Sequence, residues 1–137
     1  MPPTETIRVL VADDSPTALR SVCEYLEFAG GFEIVGTASD GLNAVQLASL
    51  KKPDLVLLDL SMPRVNGLEA AEQIRLSSPD LRVIIFSELH GLSLADECRR
   101  HGADGFVSKS LLPEGLLMEI QRLFTPGRPK DAGTERN

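Results

Sequence analysis

Three aspartates, a serine and a lysine each stand where an apolar run of this sequence ends. Asp13-Asp14 follow Ile7-Arg-Val-Leu-Val-Ala12, and Asp59 follows Leu55-Val-Leu-Leu58. Ser87 closes Leu81-Arg-Val-Ile-Ile-Phe86, and Lys109 comes after Gly105-Phe-Val-Ser108. Short runs rich in Val, Ile and Leu read as buried strands. Ligands of open α/β sheets bind at the carboxyl ends of the strands. Brought together there, three carboxylates repel one another and resist joint ionisation. A hard divalent cation relieves the conflict. Mg2+ (or Mn2+) suits the set, because it takes one or two carboxylates, keeps several waters and binds phosphate oxygens. The lysine adds a compact positive charge, and the serine adds a hydroxyl donor. Such a group supports phosphoryl transfer onto a carboxylate, giving an aspartyl phosphate held by metal and ammonium. Asp59 is the expected nucleophile, since it projects from what should be the central strand. Any one of these residues is equally a loop cap. Five at successive strand ends favour a site.

The elements that must position them can be read in order. After the first strand, Ser15 is a good N-cap and Pro16 suits the first helical position. Leu19, Val22, Cys23 and Leu26 recur at helical spacing until Gly30-Gly31 stops the helix. Residues 32–37 form a second strand, and Asp40-Gly41 opens a helix with Ala44, Val45 and Ala48 on one face, ending before Pro53. The third strand carries Asp59. A third helix starts at Gly67 with Leu68, Ala71 and Ile74 inward, and Pro79 bars its continuation. The fourth strand spans residues 81–87, a weaker helix covers 93–101, and the fifth strand covers 105–108. Pro113 opens the last helix, whose stripe is Leu116, Leu117, Ile120, Leu123 and Phe124.

This alternation predicts an α/β fold, a parallel sheet with helices on both faces and right-handed crossovers. The second strand is the most polar and the fifth is short, so both suit sheet edges. The order 2-1-3-4-5 satisfies this and puts the topological switch between the first and third strands. All five polar residues then meet over one crevice.

A chain of 137 residues suits one domain rather than two. A formal net charge of −6 argues against nucleic-acid contact, which rests on neutralising phosphates. No apolar run approaches the roughly 20 residues that span a bilayer. Residues 1–6 lack the basic and apolar parts of a signal peptide. No membrane contact is expected, and the cytoplasm is the expected location. Cys23 and Cys98 fall in apolar helical patterns and read as small buried hydrophobes. Residues 1–6 read as an N-terminal extension and 7–124 as the domain. Residues 125–137 read as a Pro/Gly-rich, charged tail or linker, without ordered structure.

Over residues 7–124 the chain resembles a response-regulator receiver domain of two-component signalling. The resemblance is carried by Asp13-Asp14, the Asp59-Leu-Ser-Met-Pro63 run with Gly67, Ser87, and Phe106 with Lys109. It implies a flavodoxin-like (βα)5 fold. It also implies phosphorylation of Asp59 by a phosphohistidine, on a sensor histidine kinase or a histidine phosphotransfer protein. Mg2+ would be held by Asp14 and Asp59, by Asp13 through water, and by the backbone carbonyl of Ser61. Ser87 and Phe106 would be the switch pair. The face made by the fourth helix, fifth strand and fifth helix would then change, controlling an output domain or partner protein or forming a homodimer. Beyond self-phosphorylation and autodephosphorylation at Asp59, no enzyme activity is implied.

The wording of residues 36–41 and 102–106 is similar to receivers that carry a C-terminal helix-turn-helix, and the chain reads as either a stand-alone regulator or an excised receiver. Ser110 stands where many receivers have proline, so no cis peptide is expected after Lys109. Glu88 follows Ser87 where the family usually has a small residue, and is expected to slow exchange at Asp59. His90 reads as an ordinary loop histidine, and His101 as a favourable residue at a helix C-terminus. Two other functions compete. A phosphatase of the haloacid dehalogenase type would need a second carboxylate where Ser61 stands. A receiver-like interaction module would work without phosphorylation, with no use for the acidic and basic site residues. Flavin or nucleotide binding is disfavoured, because Asp-Asp-Ser-Pro replaces a Gly-rich loop after the first strand.

Overall fold

The computed structural model describes residues 6–89 and 91–124. His90, the expected tail and all but Thr6 of the expected extension lie outside the described residues. The chain alternates strand and helix: β1 (Ile7–Ala12), α1 (Pro16–Ala29), β2 (Phe32–Ala38), α2 (Gly41–Lys51), β3 (Leu55–Asp59), α3 (Gly67–Ser77), β4 (Arg82–Ser87), α4 (Leu92–Arg100), β5 (Gly105–Ser108) and α5 (Glu114–Phe124). One 3-10 turn, Lys109–Leu111, links β5 towards α5. The strands pair in parallel in the order β2-β1-β3-β4-β5, as the sequence predicts.

Alternate residues of the strands feed two cores, one on each face of the sheet. Leu10, Val56, Leu58, Val83 and Ile85 point to the face covered by α2, α3 and α4. Val9, Val11, Leu55, Leu57, Ile84 and Phe86 point to the face covered by α1 and α5. All five residues of β3 are buried, which is why its sequence lacks alternation. Each buried Val, Leu, Ile or Phe contributes about 1.5–3 kcal/mol.

The departures from expectation are local. β2 runs one residue further than expected, β4 starts one residue later, and α4 lies one residue earlier, at Leu92–Arg100. Leu92 is 86% exposed, so the apolar pattern gave no inward residue to mark the start of that helix. Pro113 stands just before α5, and the cis peptide among the described residues is Leu112–Pro113, not the bond after Lys109. Cys98 is buried as expected, but Cys23 is only half-buried, because α1 fully buries just Val22 and Leu26.

Side chains cap the first three helices. Ser15, Asp40 and Asn66 accept from the backbone of Ala18, Asn43 and Glu69, and Glu69 returns the bond to Asn66. Two glycines let loops approach closely. A Cβ on Gly41 would lie 1.7 Å from the Val65 carbonyl oxygen, and one on Gly67 would lie 2.6 Å from that of Asp59. At one sheet edge the β1–β2 register slips, so that Val9 faces Ile34 and Leu10 faces Gly36, leaving Val35 as a bulge. At the other edge the Phe106 N–H donates to Glu119 of α5 at 3.3 Å.

Candidate functional site

Strand register brings the predicted polar residues together. Ala12 lies opposite Leu58, so Asp13 and Asp59 emerge side by side. Asp59 pairs with Phe86, and Ser87 with Ser108, which puts Ser87 and Lys109 on the other flank. One oxygen from each of Asp13, Asp14 and Asp59 falls within 4.8 Å of the others. Lys109 Nζ donates to Asp13 Oδ2 at 3.0 Å and stands 3.3 Å from Asp59 Oδ1. The same ammonium lies 5.1 Å from the centroid of the Phe86 ring. Asp13 is buried, and its other oxygen accepts the Ser15 N–H at 2.9 Å, so this carboxylate is fixed from two sides. Asp14 is exposed at the mouth.

Burial pushes the Asp59 carboxyl up, the Asp13 carboxylate pushes it further, and Lys109 opposes both; the result is about 6. Burial alone would lower Lys109, but its bonds and ion pairs with Asp13 and Asp59 outweigh that and hold it above its ordinary value. Ser87 is buried, and its hydroxyl accepts the Leu89 N–H at 3.0 Å. In that bond the hydroxyl is the acceptor, so its proton is still there to give.

The donor set fits a hard cation. Three carboxylates face one ammonium, which leaves excess negative charge at the mouth, and the clustered ligands are all oxygen atoms. Ser61 lines the same hollow as Asp14, in the loop just after Asp59. Phe106 does not join the carboxylates. It is half-buried on β5 and lines a separate cavity with Leu92 and Ala95 of α4.

The loop after β3 is a stiff wall of the site. Leu60 N–H donates to Phe86 O at 2.9 Å, and Gly67 N–H donates to Leu60 O at 2.8 Å. Arg64 pairs with Asp40 at 3.0 Å and ties this loop to the start of α2. The Asn43 N–H, helped by Arg64, holds the Asp40 carboxyl below its usual range. Sequence reasoning missed Arg64, which gave no signal beyond being a charged loop residue. It also missed Arg75 of α3, which reaches Asp104 and the carbonyls of Gly102, Pro79 and Leu81.

Comparison with known proteins agrees with this geometry. The family model described as "Response regulator receiver domain" matches residues 9–121. The nitrate/nitrite response regulator protein NarL of Escherichia coli is 35% identical over 118 residues, covering 86% of this chain and 55% of NarL. The chain spans about half the length of several of the curated relatives it matches. Among solved structures, the response regulator domain of Thermotoga maritima CheB superposes with a TM-score of 0.79 at 35% identity, covering 86% of this chain and 96% of that one. The CheX-CheY-BeF3-Mg complex from Borrelia burgdorferi gives a TM-score of 0.81 at 30% identity, covering 88% of this chain and 90% of the other. With the sheet order, the strand-end residues and these matches in agreement, the chain belongs to the response regulator receiver domain family of phosphorelay signalling.

Proposed function

We propose that Asp59 is the phosphoacceptor of a receiver comprising residues 7–124, charged by a phosphohistidine on a sensor histidine kinase or phosphotransfer protein. The observation that carries this is the Lys109 ammonium set between the buried Asp13 and Asp59 carboxylates. An Asp59 oxygen forms the new O–P bond as the donor's P–N bond breaks, and the electron pair leaves with the donor imidazole. Asp13 keeps Lys109 aimed at the acceptor, so its charge is in place before the phosphoryl oxygens arrive. The Ser87 hydroxyl can donate a hydrogen bond to one of those oxygens. Asp14 and Asp59, Asp13 through water, and the Ser61 carbonyl would hold Mg2+ (or Mn2+). When bound, that ion draws off negative charge from the carboxylates and the transferring group. The chemistry of this domain is then self-phosphorylation and its hydrolytic reversal.

Ser87 and Phe106 form the proposed switch pair, on the strands that precede and follow α4 in the sequence. Leu92, Leu111 and Met118 are exposed around the cavity that Phe106 lines. That apolar surface suits an output domain, a partner protein or a second copy of the domain. Among the described residues no helix is long and apolar enough to cross a membrane. The acidic balance of the chain disfavours direct nucleic-acid contact.

The test is incubation with acetyl phosphate, or with beryllofluoride, in the presence of Mg2+, with wild type beside Asp59→Ala. With acetyl phosphate, a base-labile gain of one phosphoryl mass on wild type alone is the expected result, and with either reagent amide shifts at Ser87 and Phe106. No modification and no Mg2+-dependent shift would instead favour an interaction module that works without phosphorylation. Glu88 is exposed beside Ser87, where its charge opposes an incoming phosphoryl donor. Glu88→Ala should speed both phosphorylation and dephosphorylation, by about threefold for a screened surface charge. Unchanged rates in a stopped-flow or radiolabel assay would remove Glu88 from the account.

A further inference from the structure

The loop that leaves the acceptor holds one costly backbone conformation. Arg64 sits at φ +70°, in the left-handed region that residues with a Cβ avoid. Among the described residues other than glycine, Lys52 alone shares a positive φ, and it closes α2, where that conformation is ordinary. At Arg64 the Val65 N–H donates back to Pro63 O at 2.8 Å, closing a three-residue turn of the strained kind. Such strain persists only where the surroundings fix it.

Those surroundings can be named. Met62 is buried in the core beneath α2, α3 and α4, and Val65 packs against the same core. The Val65 carbonyl also rests against Gly41 at the start of α2. Both flanks of the turn are thus anchored by packing, whereas the Arg64 side chain is 59% exposed and gains little from burial. Its partner among the described residues is Asp40, whose Oδ2 accepts from Nη2 at 3.0 Å. Asp40 is itself fixed, since its Oδ1 accepts the Asn43 N–H at 2.7 Å as the N-cap of α2. Glycine would make the same turn without strain, but it would have nothing to offer Asp40. Three residues before Arg64 stands Ser61, which lines the hollow with Asp14. Pro63 fixes its own φ and restricts Met62, so few soft torsions lie between Arg64 and Ser61.

We propose that Arg64 is a positioning residue, whose ion pair with Asp40 locks the turn at residues 63–65 and so holds the Ser61 carbonyl in place for the divalent cation. The ligand role of Ser61 rests on the phosphoacceptor reading above, and the lock on the loop does not. The start of α2, which supplies no ligand of its own, thereby helps to set metal affinity.

Mg2+ titration without a phosphoryl donor, followed by the amide shifts of residues 59–61, tests this. Arg64→Ala keeps the strain and loses the tie. Asp40→Asn keeps the cap, because asparagine serves as well there, and loses the ion pair. Both should bind Mg2+ about fivefold more weakly than wild type, the upper scale for an exposed ion pair. The double variant should lose no more than either alone. Bulk charge predicts otherwise, since loss of the arginine would draw the cation in and loss of the aspartate would not. Opposite changes in the two variants, or no change in either, would therefore overturn the positioning role. Arg64→Gly separates position from stability. It should melt above Arg64→Ala, being free of the strain, and yet bind Mg2+ no better. Affinity that follows melting temperature instead would leave Arg64 a stabilising role only. In the metal-free protein, the Val65 and Gly67 amides should exchange about fivefold faster in each variant, while the β3 amides keep their protection. If wild type shows no Mg2+-dependent shift, the ligand role of Ser61 fails with the metal reading, and those exchange rates alone decide the lock, unchanged rates overturning it.

Discussion

Asp59→Asn should take up no phosphoryl group and yet, without metal and above pH 6, should fold more stably than wild type. The loss of uptake should be complete if Asp59 is the acceptor, because the amide oxygen is no nucleophile for phosphorus at neutral pH. The gain in stability follows from the raised carboxyl. Asp59 sits at about 6, against an ordinary value of 3.8, chiefly through burial and then the Asp13 carboxylate. Between those two values the folded protein keeps a proton that the unfolded chain has released. Folded stability therefore falls as pH rises through that window, and the full penalty is present above it. Asparagine carries no such penalty, and Lys109 keeps its bond to Asp13. After discounting for solvent screening, the gain is about 1–2 kcal/mol, or about 5 °C in melting temperature. Thermal melts at pH 7.5 and pH 4 check it: the difference should appear at the higher pH and vanish at the lower. Saturating Mg2+ should also narrow it, since only wild type has the full ligand set to gain from the ion. A variant that melts at or below wild type at pH 7.5 would mean that Asp59 bears no net repulsion.

Lys109→Ala should move stability the other way. Lys109 is the cation that pairs with both buried carboxylates, and the Asp13 side chain is wholly inaccessible to solvent. Removing one partner of a buried pair leaves uncompensated charge and costs about 3 kcal/mol. Chemical denaturation without metal should show that loss, and Mg2+ should restore part of it. Combining Lys109→Ala with Asp59→Asn should recover more than the two single effects predict, since each variant acts on the same repulsion. Phosphoryl uptake from acetyl phosphate should fall by roughly 100-fold, the scale of losing one preorganised charge at a transferring group. Wild-type stability together with wild-type uptake in Lys109→Ala would sink the role given to the ammonium.

How much of this was legible in the sequence depended on what kind of group each contact uses. Asp13, Asp59, Ser87 and Lys109 were visible because each interrupts an apolar run, and parallel sheets put such interruptions at one end. The sheet order was visible because the polar β2 and the short β5 suit edges. Arg75 was invisible because most of its acceptors are backbone carbonyls, at Gly102, Pro79 and Leu81, and a carbonyl has no letter of its own. The start of α4 was misplaced by one residue because its first leucine faces solvent. Cys23 reads as buried because its spacing matches Leu19 and Leu26, but only part of that stripe lies deep enough to be covered.

The slip in register at Val35 has a bearing on aggregation. An open parallel sheet offers its outer strands as templates to other chains, and a domain with apolar residues on its surface runs that risk at high cellular concentration. An incoming strand laid along β2 would have to reproduce the bulge to stay in register with it. Along β5 it would have to displace the Glu119 carboxylate from the Phe106 N–H. With both borders of the sheet awkward to extend, the helical surfaces are the ones left open to a partner.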